Sequence, residues 1–197
     1  MKGLSQKYLL LVFLIMLFFS PTCFAKEIQT DFEENTYIWA CQCRDEIVRQ
    51  FDLLISSGQL REGQVFDTFY VPIPNTQPQK FHTQYDTIAD EIIRPILDRF
   101  LEKDPRLIFV VLVDHNGYTP THNTRFSQPL TGNREVDLLK NRAKRMAIYE
   151  VGLAAARNTD SYLLQEYVRD TGEKMLDLSV PVFFHKRHWG AIRIGFK

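Results

Sequence analysis

From Tyr162 to Phe196 the residue character alternates with period two through three stretches, YLLQEYVRD, KMLDLSVPVFF and HWGAIRIGF, separated by TGE and HKR. Successive side chains of a strand point to opposite faces, so this pattern predicts three antiparallel strands joined by two turns. One face collects Leu164, Val168, Leu176, Leu178, Val180, Val182, Ile192, Ile194 and Phe196. The other collects Gln165, Tyr167, Arg169, Asp177, Ser179, Trp189 and Arg193. A sheet face of that second composition is either solvated or the floor of a pocket, and any fold for this chain has to accommodate it.

The amino terminus has a different character. Lys2 and Lys7 precede an apolar run from Tyr8 to Phe19, Ser20-Pro21 breaks it, and Cys23-Phe24-Ala25 places a small residue on either side of Phe24. This is the pattern of a secretory signal peptide over 1–25, with cleavage expected after Ala25 and a periplasmic or secreted product. A spanning helix needs roughly 20 apolar residues, which argues against a retained anchor. The rest, 26–197, suits a single domain with its own core. The whole chain holds 24 basic and 24 acidic residues, so no charge bias points to nucleic acid.

Residues 26–58 read as a long helix: Trp39, Cys43, Ile47, Val48, Phe51, Leu54 and Ile55 recur at three- and four-residue steps, and Gly58 stands where a C-cap belongs. Cys41 and Cys43 point about 200° apart on such a helix, which disfavours a disulfide between them. Gln59 to Lys80, with Pro72, Pro74 and Pro78, reads as an extended loop. Phe81 to Lys103 is helical, with a kink expected near Arg94 because Pro95 follows. Leu107 to Val113 is apolar throughout and is expected to be a central strand buried on both faces. Asn116-Gly117 signals a hairpin, with Tyr118 to His122 as its return strand cut short by Pro120. A polar loop to Asn133 and a helical stretch from Arg134 to Arg157 precede the terminal strands. Five strands with one helical excursion make an α+β layout.

The runs VDHNGYTPTHN, FSQPLTGN, NRAKR, GLAAARNT, LLQEYVRDTGE, MLDLSVPV and RHWGAIRIGF, in this order from about Phe66 to Phe196, resemble a sensor module of bacterial methyl-accepting chemotaxis proteins. That module is similar to PAS and Cache domains. The resemblance implies a five-stranded antiparallel sheet with helices folded over it, here joined by the long N-terminal helix and a helical lid from about Asn123 to Arg157. The related modules are attached to a transmembrane receptor and a signalling hairpin. Neither is apparent here, so the expectation is a ligand-binding or sensing fold, with a membrane receptor as its partner.

The candidate ligand-binding residues fall in three groups. His122 and Asn123 follow the short strand, where a turn satisfying its own backbone is the plainer alternative. Arg142 and Arg145 sit three apart on the expected helix, where guanidinium forks suit carboxylates and a solvated basic face is the plainer alternative. Tyr167, Arg169, Asp177 and Trp189 share the polar sheet face; a cross-strand ion pair and half-buried aromatic packing would also explain them. Together they suit an amino acid, an organic acid or an amine. No G-x-S-x-G, H-E-x-x-H or P-loop occurs and the histidines are scattered, so neither an enzyme nor a metal site is expected. Two alternatives stand beside this reading. One is a protein that binds a partner, or a second copy through the N-terminal helix, without a ligand. The other is a haem-binding PAS-type sensor using His82 or His188.

Overall fold

The computed structural model describes residues 25–168 and 172–197. Helix α1 (Asp31–Ser56) leads the chain. Thr30 accepts from the Glu33 amide at 3.2 Å, and the Glu33 carboxylate accepts from the Gln29 and Thr30 amides at 2.8 and 3.0 Å. This capping box satisfies donors that the first turn leaves open. It places the helix start at Asp31, five residues into the expected 26–58 span. Ala40, Cys43, Ile47, Phe51 and Leu54 form the buried stripe of α1 and rest on one face of the main sheet. Cys41 and Cys43, the cysteines among the described residues, are free, and burial pushes the Cys43 thiol pKa well up.

The extended segment that follows carries a short helix α2 (Glu62–Val65) and a two-stranded ribbon, β1 (Val71–Ile73) with β2 (Lys80–His82). The second helical region begins only after this ribbon. It runs as α3 (Asp86–Ile88), a π-helical turn over Ala89–Ile93 and α4 (Arg94–Leu101). The irregularity falls next to Pro95, as expected for a residue with no amide to donate into the preceding turn.

The main sheet is antiparallel with four strands in the order β3 (Leu107–Asp114), β8 (Arg187–Phe196), β7 (Lys174–Phe184) and β6 (Leu163–Val168). Leu107–Asp114 is thus an edge strand, although most of it is buried as expected. Its open edge is covered by side chains. The Val110 amide donates to Asn123 Oδ1 at 2.8 Å, and the Arg125 guanidinium donates to the Ile108 carbonyl. Covering an edge in this way blocks pairing with another strand.

The fifth strand of the expected sheet does not join it. Tyr118–Thr119 forms β4 and pairs instead with β5 (Arg145–Met146) in a separate ribbon. The Asp114 carboxylate explains the divergence. It accepts from the amides of Asn116 and Tyr118, both at 2.9 Å, and from the Tyr70 hydroxyl at 2.6 Å. The chain turns at Asp114–Gly117, where the Gly117 amide meets the Asp114 carbonyl at 2.8 Å, and leaves the sheet plane. Gly117 has φ +86°, and a Cβ there would fall 2.9 Å from the Ala147 carbonyl oxygen, so glycine is required on both counts.

The stretch Arg134–Arg157 is likewise not one helix. It is α5 (Arg134–Lys140), a strap containing β5, and α6 (Glu150–Arg157), which lies on the sheet face opposite α1. Among the described residues no helix is long and apolar enough to cross a membrane. Residues 1–24 lie outside the described residues, and the expected signal peptide with them.

Replacing Thr30 by Ala removes one side of the capping box. The expected loss is about 1 kcal/mol, which lowers the melting temperature by about 2–4 °C for a domain of this size. Differential scanning calorimetry of the two proteins checks it.

Candidate functional site

The polar sheet face is buried. Gln165, Asp177 and Ser179 have no exposed surface and Arg193 is 2% exposed. A guanidinium in that position needs a counter-charge, since removing an unpaired charge from water costs several kcal/mol (roughly). Asp177 provides it from the neighbouring strand: Arg193 Nε donates to Oδ1 at 3.3 Å and Nη2 donates to Oδ2. Burial works against the charge on Arg193, but the attraction of Asp177 and the bonds to Asp177 and Tyr149 outweigh it and hold the guanidinium protonated more firmly than usual.

Above Arg193 lies a cavity of about 470 Å³. Its floor is Phe109, Val111, Tyr167 and Arg193; its roof is the strap from Arg142 to Tyr149; Gln79 and Phe81 close one side, and Thr119 and His122 another. Three arginines and one histidine line it. No carboxylate does, among the described residues.

The strap is pinned along its length. Its backbone bonds run from the Lys144 amide to the Thr119 carbonyl (2.7 Å), from the Phe81 amide to the Lys144 carbonyl (2.9 Å) and from the Ala147 amide to the Gly117 carbonyl (2.7 Å). Lys144 takes the left-handed conformation at φ 62°. Its ammonium reaches Asp86 at 3.0 Å and Asp90 at 2.8 Å, both on the helical region across the ribbon. Burial opposes ionisation of Asp90, but hydrogen bonds from Lys144 and Thr121 and the charges of Lys144 and Arg94 prevail, so its pKa falls below the usual carboxylate range. Lys80, nearly fully buried, donates to Asn141 Oδ1 and the Ala143 carbonyl from beneath. Burial, then the charges of Arg145 and Lys144, bring its pKa down to about 7.

Of the residues expected from the sequence, His122, Arg142, Arg145 and Tyr167 do meet at this cavity. The two arginines sit on the irregular strap rather than on a helix. Arg145 donates to the Asp137 and Leu138 carbonyls at 2.7 and 3.2 Å, at the C-terminal end of α5. His122 packs its ring edgewise on Phe126, 4.9 Å between centroids.

Asn123 does not line this cavity. It is fully buried, with Oδ1 on the β3 edge and Nδ2 donating to Asp98 at 3.2 Å. Asp177 stands behind Arg193 and does not line the cavity. Trp189 lies on the opposite face of the sheet. A register shift sets Val182 against Gly190 and Phe183 against His188, leaving Trp189 as an extra residue. Such a bulge interrupts the alternation, so the indole packs 5.9 Å from Phe51 and from Tyr85 and donates to the Val65 carbonyl at 2.7 Å. Arg169 lies outside the described residues. His82 and His188, the candidate haem ligands, do not line the cavity.

Arg193 and Tyr149 are among the lining residues that the sequence reading does not name. Arg193 was visible on the polar face but was not singled out. Tyr149 sits just before α6, where no periodicity marks it.

No family model and no curated protein matches this chain. Among solved structures it is similar to an extracellular ligand binding receptor from Desulfohalobium retbaense DSM5692, with a TM-score of 0.39 and 14% identity. The match covers 85% of this chain and 26% of that receptor, so the chain spans about a quarter of its length. A likeness this distant assigns neither family nor function.

The depressed Lys80 gives a pH test. Between about pH 7 and the ordinary lysine value of about 10.4, the unfolded chain holds a proton that the folded chain lacks, so stability rises with pH across that window. Urea denaturation from pH 7 to 9 is expected to show the rise, and Lys80→Met to flatten it.

Proposed function

We propose that this protein is an exported binding protein, a sensor or an accessory to one, that holds a small molecule in the cavity between the polar sheet face and the Arg142–Tyr149 strap. The observation that carries this reading is the cavity itself. It is about 470 Å³, within the range of small-molecule sites, and it has aromatic walls with a few convergent polar groups.

The resemblance of the sequence to chemoreceptor sensor modules supports the same reading, and the leader-like amino terminus supports export. The ligand class is an amino acid or an organic acid, because three guanidiniums and no described carboxylate line the space. This makes an amine the weaker candidate. Partner binding through α1 has less support: Ile47, Phe51 and Leu54 are committed to the chain's own sheet.

A thermal-shift screen of amino acids, organic acids and amines tests the proposal. A ligand at a hundredfold excess over its Kd is expected to stabilise the protein by about 2.7 kcal/mol, a rise of about 5–10 °C. Tyr167→Ala is expected to reduce that shift. A screen in which no compound raises the melting temperature, with calorimetry equally silent, would overturn it.

A further inference from the structure

The guanidinium of Arg193 is only partly used by its own fold. Asp177 takes the side of the group that carries Nε and Nη2. The remaining corner, Nη1, meets only the Tyr149 hydroxyl among the described residues, at 3.3 Å. Both residues line the cavity.

Tyr149 differs from the other groups around Arg193 in three respects. It belongs to the strap, at the N-cap of α6, and not to the sheet. It is 48% exposed, unlike Arg193 and Asp177, which are buried. Its ring is nearly parallel to that of Tyr167, 6.4 Å between centroids and 19° between planes. Its bond to Arg193 is long for a charge-assisted contact. The group is therefore held weakly against a donor that an anion would engage more strongly.

Resting on the reading of the cavity as a binding site, we infer that its ligand is a small carboxylate whose head group takes Arg193 Nη1 from the Tyr149 hydroxyl, so that Tyr149 is the gate residue of the site. Asp177 fixes the guanidinium plane and leaves the Nη1 corner facing the cavity. Arg142, Arg145 and His122 add donors around the same space. The aromatic and aliphatic walls, Phe81, Phe109 and Val111, take the body of the ligand. Release of the tyrosine hydroxyl on binding gives the strap and the start of α6 a ligand-dependent position.

Isothermal titration calorimetry with pyruvate, succinate, benzoate and phenylacetate, and with the amide of each, tests this. At least one acid is expected to bind, and its amide to bind about tenfold more weakly or not at all, because a neutral amide forfeits the charge-assisted contact. Tyr149→Phe keeps the ring and deletes the competing hydroxyl. It is expected to tighten the acid about three- to tenfold, the worth of one net hydrogen bond. The charge-neutral double variant Arg193→Met with Asp177→Leu, confirmed as folded by circular dichroism, is expected to lose the acid. Equal affinity of Tyr149→Phe and the unaltered protein, or an amide that binds as tightly as its acid, overturns the inference while the cavity remains a binding site. If neither these compounds nor the thermal-shift panel binds, the binding-site reading falls and the inference falls with it.

Discussion

The buried pair between Arg193 and Asp177 is the constraint from which the cavity follows. Arg193 lies in β8, a strand with neighbours on both sides, and its side chain stands on the face opposite α1. A charged group there cannot be covered by an apolar helix without a counter-charge and satisfied donors. Asp177 on β7 supplies the counter-charge. The rest of the face adapts to it: Ser179 and Gln165 find backbone acceptors, at Leu163 (3.4 Å) and Val151 (3.2 Å). The second of these bonds seats the start of α6 to one side of the pair. What spans the remaining floor is a strap with irregular backbone, and the space beneath it is the cavity.

The strap holds its shape because it is tied on both sides. Backbone bonds fasten it to β4 and the ribbon, Lys144 fastens it to the acidic pair Asp86 and Asp90, and Lys80 supports Asn141 and Ala143. Two of those ties use lysines that are buried or nearly so. Lys144 finds two carboxylates. Lys80 bonds to neutral acceptors, and burial together with the repulsion of Arg145 and Lys144 outweighs the attraction of Asp137 and Asp90, so its pKa is lowered. An amine without its proton still donates two hydrogen bonds, which is what its two partners require.

Much of this was legible in the sequence because period two is a strong signal. The three terminal strands and the polar character of one face follow from the alternation of Leu176–Val182 and Ile192–Phe196. The long first helix follows from the spacing of Cys43, Ile47, Phe51 and Leu54. The failures have definite causes. Trp189 falls on the other face because one extra residue in β8 shifts the alternation; Gly190 beside it, an isolated glycine in a strand pattern, is the local signal of that bulge. Asn116-Gly117 promised a hairpin, but a carboxylate two residues earlier captured the amide of Tyr118. Arg142 and Arg145 were assigned to a helix whose middle is held in a ribbon by β4, a contact far away in sequence. They reached the cavity nonetheless, by a route that periodicity does not encode. Arg193 stands in view on the polar face, but its importance depends on the irregular strap that lies over it beside α6, which only the packing reveals.

A double-mutant cycle across Asp177 and Arg193, measured by urea denaturation, tests most directly whether this pair organises the sheet face. Asp177→Leu and Arg193→Met each leave one charge buried alone and are expected to cost about 3–5 kcal/mol. The double variant, with both charges gone, is expected to return to within about 1 kcal/mol of the unaltered protein. A double variant that loses as much as the two single changes added together would contradict the account, because it would show that the two residues act independently.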